Sequence, residues 1–293
     1  MPMSEAQLRL DLRRRTLNLP QLQLSYLEWN SGGEPLLLLH GLADCGAVWL
    51  SLAEDLSDRY HCIAPDLRGH GDSSKPDRGY GCQDIIADLE ALMENLGWSE
   101  AHVVGHSWSA KVAAVWARQQ PERFRSLVLV DPFFIDRLPG WMTFTFPLLY
   151  RVLPFLKLVG SFDSYEQAQE QAQKLKQYRG WSQFQEMVFQ ASIEKKPNGK
   201  WGSKFVKQAR NEIFADVMRV AGLTEPIDVP TLFLQPETGL NRTAWQLKPY
   251  RTYLKNLEIR QIPGNHWAFL VEPKAFNQTV AAFLMSHQLE LDR

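Results

Sequence analysis

Gly105-His106-Ser107-Trp108-Ser109 decides how this chain is read. It follows the apolar run Ala101-His102-Val103-Val104 and opens the helical pattern Ala110-Lys111-Val112-Ala113-Ala114-Val115-Trp116. A strand that turns sharply into a helix at a serine lifts that serine's oxygen above the sheet edge, with the helix N-terminus beneath it. The turn strains the serine's backbone and brings main chain close to its neighbours, so it needs small residues at 105 and 109. Gly105 meets that demand. Position 109 carries serine where the motif has glycine, so the turn is expected to form with its helix packed slightly less closely.

Outward from this stretch, strands and helices alternate. Leu22 to Trp29 alternates apolar and polar residues, as a half-buried antiparallel strand does. After the Ser31-Gly32-Gly33 turn, Pro35 to His40 is a continuous apolar run suited to a strand buried on both faces. A helix from Val48 to Leu56, a strand from Tyr60 to Pro65 and a helix from Asp84 to Leu96 follow. Beyond the serine turn come a strand from Ser126 to Asp131 and, later, a strand from Val229 to Leu234. A helix over Ala244 to Leu254, a strand over Leu257 to Ile262 and a helix over Ala275 to Gln288 complete the pattern. Alternation on this scale implies right-handed crossovers and a mostly parallel sheet of the eight-stranded type, covered by helices on both faces.

The alternation stops at Pro132 for roughly 90 residues, far longer than an ordinary connection. That stretch reads as helical, which divides the chain into a core (1–132 and 226–293) and an inserted helical cap (133–225). Phe133 to Gly222 holds 16 of the 33 aromatic residues, among them Trp141, Phe144, Phe146, Tyr150 and Phe155 around Leu148, Leu149 and Leu153. These pack the cap on the core, and part of their surface is expected to line an apolar pocket over Ser107. Pro147, Arg151, Pro154 and Lys157 interrupt the run, which argues against a membrane span.

The charge balance excludes other classes. With 32 basic and 33 acidic residues the 293-residue chain carries a formal charge of −1. No field draws it to nucleic acid or an anionic membrane. Arg13-Arg14-Arg15 lacks the apolar run of a signal peptide, since Thr16 to Pro20 reads as the start of a strand. Cys45, Cys62 and Cys82 are odd in number and scattered, with neither disulfide nor metal-ligand spacing. A cytoplasmic protein without metal or organic cofactor is expected.

A serine hydroxyl is a weak nucleophile near neutrality and needs a base within hydrogen-bond reach, for which histidine is the natural choice. Of the seven histidines, His266 stands out. It lies in Ile262-Pro263-Gly264-Asn265-His266-Trp267, after the last strand and before the last helix, where the C-terminal edge of a parallel sheet builds its sites. Arg68-Gly69-His70-Gly71 lacks the third glycine of a dinucleotide loop, because Ser74 occupies that position. Asp66, Arg68 and His70 are expected to hold this loop beside the site through charge-assisted hydrogen bonds.

Four stretches occur in a telling order: His40-Gly41, Asp66-Leu67-Arg68-Gly69-His70-Gly71-Asp72-Ser73, Gly105 to Ser109, and Gly264-Asn265-His266 followed by Glu272-Pro273. Through them the chain resembles serine hydrolases of the α/β-hydrolase fold from about Leu22 to Leu284, the cap excepted. The resemblance implies that Ser107 is the nucleophile and His266 the general base. It also implies that the backbone N–H groups of Leu42 and Trp108 form the oxyanion hole, and that His40 is structural.

The third member is less settled. Most relatives place an aspartate just after the seventh strand, where this chain has Pro236-Glu237-Thr238-Gly239-Leu240 and the matching position is Gly239. Without a carboxylate the imidazolium is less stabilised and its tautomer less controlled. Asp131, where haloalkane dehalogenases and some other relatives carry their acid, is the first choice, Glu237, with its longer side chain, is the alternative, and a site that uses neither carboxylate stays open.

The reading that follows is hydrolysis of a carboxylic ester or related acyl bond in a mainly apolar small molecule. Hydrolysis of a carbon–carbon bond in a diketone uses the same residues and is the second enzymatic reading. Epoxide and haloalkane chemistry is disfavoured, because those relatives use an aspartate where this chain has Ser107. From a different class, a ligand-binding or signalling protein on the same scaffold is favoured by Gly239 and Ser109 and opposed by the intact Ser107 and His266.

Overall fold

A computed structural model describes residues 12–137, 141 and 160–291. Its first strands are β1 (Arg13–Asn18), β2 (Gln23–Trp29), β3 (Glu34–Leu39), β4 (Tyr60–Pro65), β5 (Ala101–His106) and β6 (Phe124–Val130). Among them run α1 (Leu50–Leu56), α2 (Cys82–Leu96) and α3 (Trp108–Gln119). The eight-stranded sheet has the order β1-β2-β4-β3-β5-β6-β9-β10, closed by β9 (Thr231–Thr238) and β10 (Leu257–Asn265). The β1/β2 and β2/β4 pairs are antiparallel, whereas β4/β3, β3/β5, β5/β6, β6/β9 and β9/β10 are parallel. The basic run Arg13-Arg14-Arg15 forms the exposed edge strand β1, which charged residues protect from further pairing.

Period-two alternation explains why the central strands are apolar throughout. Leu37 and Leu39 of β3, Val103 of β5, and Leu127 and Leu129 of β6 enter one core with α2 and α3. Their neighbours Leu36, Leu38, Val104, Val128 and Val130 enter a second core on the opposite face with α1 and the last helix. Each residue therefore faces protein whichever way it points, as in a sheet covered on both sides. Burying one such side chain stabilises the fold by about 1.5–3 kcal/mol.

Between β6 and β9 the described residues hold α4 (Tyr165–Gln173), α5 (Gln183–Ser192) and α6 (Lys207–Arg219). They also hold a small antiparallel hairpin, β7 (Ile193–Lys195) with β8 (Trp201–Ser203). This stretch is thus not helical throughout: Lys196-Pro197-Asn198-Gly199-Lys200 supplies a turn, with Gly199 at φ 80°, that the helical reading passed over. Trp141 is exposed, while the expected packing of Phe144, Phe146, Leu148, Leu149, Tyr150, Leu153 and Phe155 falls outside the described residues. After β9 come α7 (Ala244–Tyr253), then β10, the short α8 (Ala268–Val271) and α9 (Pro273–Leu291). Among the described residues no helix is long and apolar enough to cross a membrane, and no group of three or more metal-ligating side chains is found.

Candidate active site

The C-terminal ends of β3, β5, β6 and β10 deliver the residues of the site. Ser107 sits between β5 and α3 at φ 56° and ψ −114°, a strained conformation for a residue with a side chain. Two hydrogen bonds to β6 and its sequel hold it there: Ser107 N–H donates to Val130 O (2.9 Å) and Phe133 N–H to Ser107 O (3.0 Å). A Cβ on Gly105 would lie 2.8 Å from the Ala110 Cα, so glycine is required. Ser109 does more than fit. Its hydroxyl lies 2.8 Å from Leu39 O and accepts from His106 N–H at 3.1 Å, stitching α3 to β3 and β5 where the motif's glycine has no such group.

Asp131 follows β6 at φ 41°, fully buried. His266 follows β10. Its Nδ1 lies 2.6 Å from Asp131 Oδ2 and its Nε2 lies 2.9 Å from Ser107 Oγ. Because a buried carboxylate only accepts, the imidazole carries its hydrogen on Nδ1 and turns a lone pair toward the serine. Burial alone would raise the Asp131 pKa. Hydrogen bonds from His266, the Leu240 N–H and the Asn241 side chain instead hold it below the ordinary carboxylate value. Leu240 N–H (2.8 Å), Asn241 N–H (3.1 Å) and Asn241 Nδ2 (3.0 Å) all point at this carboxylate.

Gly239 gains a physical reason from the same geometry. A Cβ there would lie 2.6 Å from Asp131 Oδ2 and 2.9 Å from its Cγ. The carboxyl of Asp131 occupies the space that a side chain at 239 would need. Glu237 is exposed at the end of β9, and among the described residues no hydrogen bond or ion pair joins it to His266. Of the two carboxylates singled out in the sequence, the structure brings Asp131 to the imidazole and leaves Glu237 outside.

The His-Gly loop is held by a buried neutral ring. His40 Nδ1 lies 2.7 Å from Gly41 O and its Nε2 accepts from Leu67 N–H at 3.0 Å. Burial lowers its pKa, in keeping with a structural role. Leu42 follows on this loop, and Trp108 begins α3, where the first N–H groups of a helix lack intrahelical acceptors. Both line one cavity with Ser107 and His266. The Asp66–Asp72 loop supports Trp108 from behind. Arg68 pairs with Asp88 through two 2.6 Å hydrogen bonds, and Asp66 accepts from Gly46 N–H, Asp72 N–H and Arg14. His70 stacks on Trp108 and Phe205 at ring separations of 5.6 and 4.4 Å.

The cavity above the serine measures about 220 Å³. Leu42, Leu240 and Trp267 wall it together with Phe133, just after β6, and with Ile213, Phe214 and Val217 of α6, while Lys176, Thr238 and Asn265 are polar exceptions. Lys111 secures α6 to the helix of the serine turn. Its buried ammonium donates to the carbonyls of Phe134 (2.7 Å), Asp136 (3.1 Å) and Val217, while burial lowers its pKa to about 8. Sequence reasoning missed Lys111, Asn241 and the α6 wall. The α6 wall residues read only as helix periodicity, and nothing in the sequence ties Lys111 or Asn241 to groups more than a hundred residues away.

A profile of the alpha/beta hydrolase fold matches residues 34–273. A soluble epoxide hydrolase of Corynebacterium sp. is 35% identical over 37% of this chain and 36% of its own length. A 2-(acetamidomethylene)succinate hydrolase of Mesorhizobium japonicum is 38% identical over 42% of this chain and 41% of its own length. The aligned stretch thus spans well under half of either relative. The solved structure of an E-2-(acetamidomethylene)succinate hydrolase superposes with a TM-score of 0.78 at 22% identity, covering 93% of this chain and 99% of that one.

Proposed function

This chain belongs to the alpha/beta hydrolase fold family, and from that premise we propose that it is a serine hydrolase that cleaves a carboxylic ester or related acyl bond of a mainly apolar small molecule. The observation that carries the proposal is the run of hydrogen bonds from Ser107 Oγ through His266 to Asp131, 2.9 and 2.6 Å long, at the floor of an apolar cavity. His266 takes the Ser107 proton as the oxygen attacks the carbonyl carbon, and returns it to the leaving group. Asp131 fixes the Nδ1–H tautomer and faces the imidazolium that forms. The N–H groups of Leu42 and Trp108 stabilise the oxyanion. Water activated by His266 then cleaves the acyl-enzyme ester.

The relatives named for epoxides share the fold, but the atom at position 107 separates the chemistries. Attack by a serine oxygen on an epoxide or alkyl halide would leave a serine ether, which water does not cleave. Attack on an acyl carbon leaves an ester, which water does cleave. A serine nucleophile therefore favours acyl substrates. By this reading the insertion from 133 to 225 acts as a cap, with α6 as the substrate-facing wall.

A panel of p-nitrophenyl esters differing in acyl length and charge tests the proposal. Turnover is expected for neutral, apolar acyl groups and is expected to vanish in Ser107→Ala. If the folded wild-type protein hydrolyses no ester and Ser107 does not react with a fluorophosphonate, the hydrolase reading is wrong and the scaffold serves binding.

A further inference from the structure

A second acid lies close to His266 on the side of the His-Gly loop. Asp44 is buried at the end of that loop. Its Oδ2 faces His106 Nδ1 at 3.8 Å, and neither atom has a hydrogen-bond partner among the described residues. The other nitrogen of His106, Nε2, lies 2.9 Å from the backbone carbonyl of His266. A carbonyl only accepts, so the hydrogen sits on Nε2 and a lone pair on Nδ1 points toward Asp44. The two imidazoles pack at 4.6 Å between centroids. The Trp267 indole also hydrogen-bonds the Asp44 carboxyl. Two neighbouring elements therefore hold successive residues of the His266 loop: His106, at the end of β5, holds the carbonyl of residue 266, and Asp44, after the His-Gly pair, holds the indole of residue 267.

The crowding is tight enough to make this arrangement specific. A Cβ on Gly41 would come within 2.5 Å of His106 Nδ1 and 3.2 Å of Asp44 Oδ2. Around Asp44 the titratable neighbours are His106 after β5, His266 after β10, Cys45 beside it, and Tyr178 from the insertion, with Asp66 and Arg14 beyond Cys45. Burial raises the pKa values of Cys45 and Tyr178 and lowers that of His106, so all three are neutral near pH 7. His266 is then the neighbour whose positive charge favours the ionised form of Asp44. Burial pushes the Asp44 carboxyl up to about 7 against the opposing pull of His266 and the Trp267 indole.

We propose that Asp44 is a positioning acid for His266: through the Trp267 indole it fixes the loop that carries the imidazole, and its ionised form adds negative charge beside the imidazolium formed when Ser107 attacks. It touches no substrate. The proposal rests on the serine-hydrolase reading above. The His106 lone pair favours the protonated carboxyl in the resting protein, and positive charge on His266 favours the ionised one. The contribution of Asp44 is therefore small in acid and grows as pH rises through neutrality.

The test is the rate at which a fluorophosphonate probe labels Ser107, measured from about pH 5.5 to about pH 8.5 in wild type and Asp44→Asn. The ratio of the two rates is expected to be near one at the acid end. It is expected to climb to between about three- and tenfold at the alkaline end, the effect of up to one pKa unit of interaction. A ratio that stays constant across the range reveals a purely structural carboxyl and overturns the proposal. Trp267→Phe keeps the test open should Asp44→Asn not fold. Loss of the indole donor is expected to move the midpoint of the rate profile to higher pH, and an unmoved midpoint overturns the proposal equally. No labelling of the wild type at any pH would instead overturn the serine-hydrolase reading, and this inference with it.

Discussion

Two adjacent strands, β6 and β9, end side by side beneath His266 and contribute opposite things. The end of β6 supplies a carboxylate, Asp131, at positive φ and fully buried. The end of β9 supplies space at Gly239 and donors at Leu240 and Asn241. A carboxylate cannot remain ionised in a dry site without such donors. The acid and the groups that keep it charged therefore come from different strands, and Gly239 is part of the site because it lacks a side chain.

That contrast is breakable by substitution, beginning with its largest consequence. Asp131→Asn keeps the shape but removes the charge and the tautomer control, and turnover is expected to fall about 10,000-fold in a steady-state ester assay. A loss of less than tenfold would move the acid elsewhere. Gly239→Ala inserts a carbon against a carboxyl that backbone donors hold in place. Displacement of Asp131 is expected to cost roughly 100-fold in turnover, which an unchanged kcat would refute.

Asn241→Ala removes one side-chain donor and leaves two backbone N–H groups on the carboxylate. A loss of about tenfold is expected, as for a hydrogen bond to a charged group. The same donors give a pH signature. Because the folded Asp131 pKa lies below the ordinary carboxylate value of 3.8, the stabilisation it carries is present above about pH 4 and is lost as pH falls through the folded value. Acid denaturation of Asp131→Asn, followed by circular dichroism, is expected to lack that component. Glu237→Gln is the smallest change, and turnover within twofold of wild type is expected, since the side chain is exposed. A large loss there would restore the end of β9 as the source of the acid.

How much of this was legible beforehand follows from the range of each interaction. Strands β2 to β6 announced themselves because apolar runs between turn residues are local signals. The serine turn and the His266 loop were legible for the same reason. The choice between Asp131 and Glu237 was not, because it depends on whether a side chain on one strand reaches a ring carried by another. Gly239 read as a missing acid, whereas in space it is the room made for Asp131. Ser109 read as a looser turn, yet its hydroxyl bonds β3 from 70 residues away. The β7–β8 hairpin escaped notice because its strands are three residues each, too short for a period to register.

The central claim is that the oxygen of Ser107, activated through His266 and Asp131, becomes acylated during turnover. Intact-mass analysis after brief exposure to a fluorophosphonate, with peptide mapping of the adduct, tests it most directly. One adduct per chain is expected, on Ser107, formed much more slowly in His266→Ala. An unmodified wild-type protein, or an adduct on another residue that survives Ser107→Ala, would contradict it.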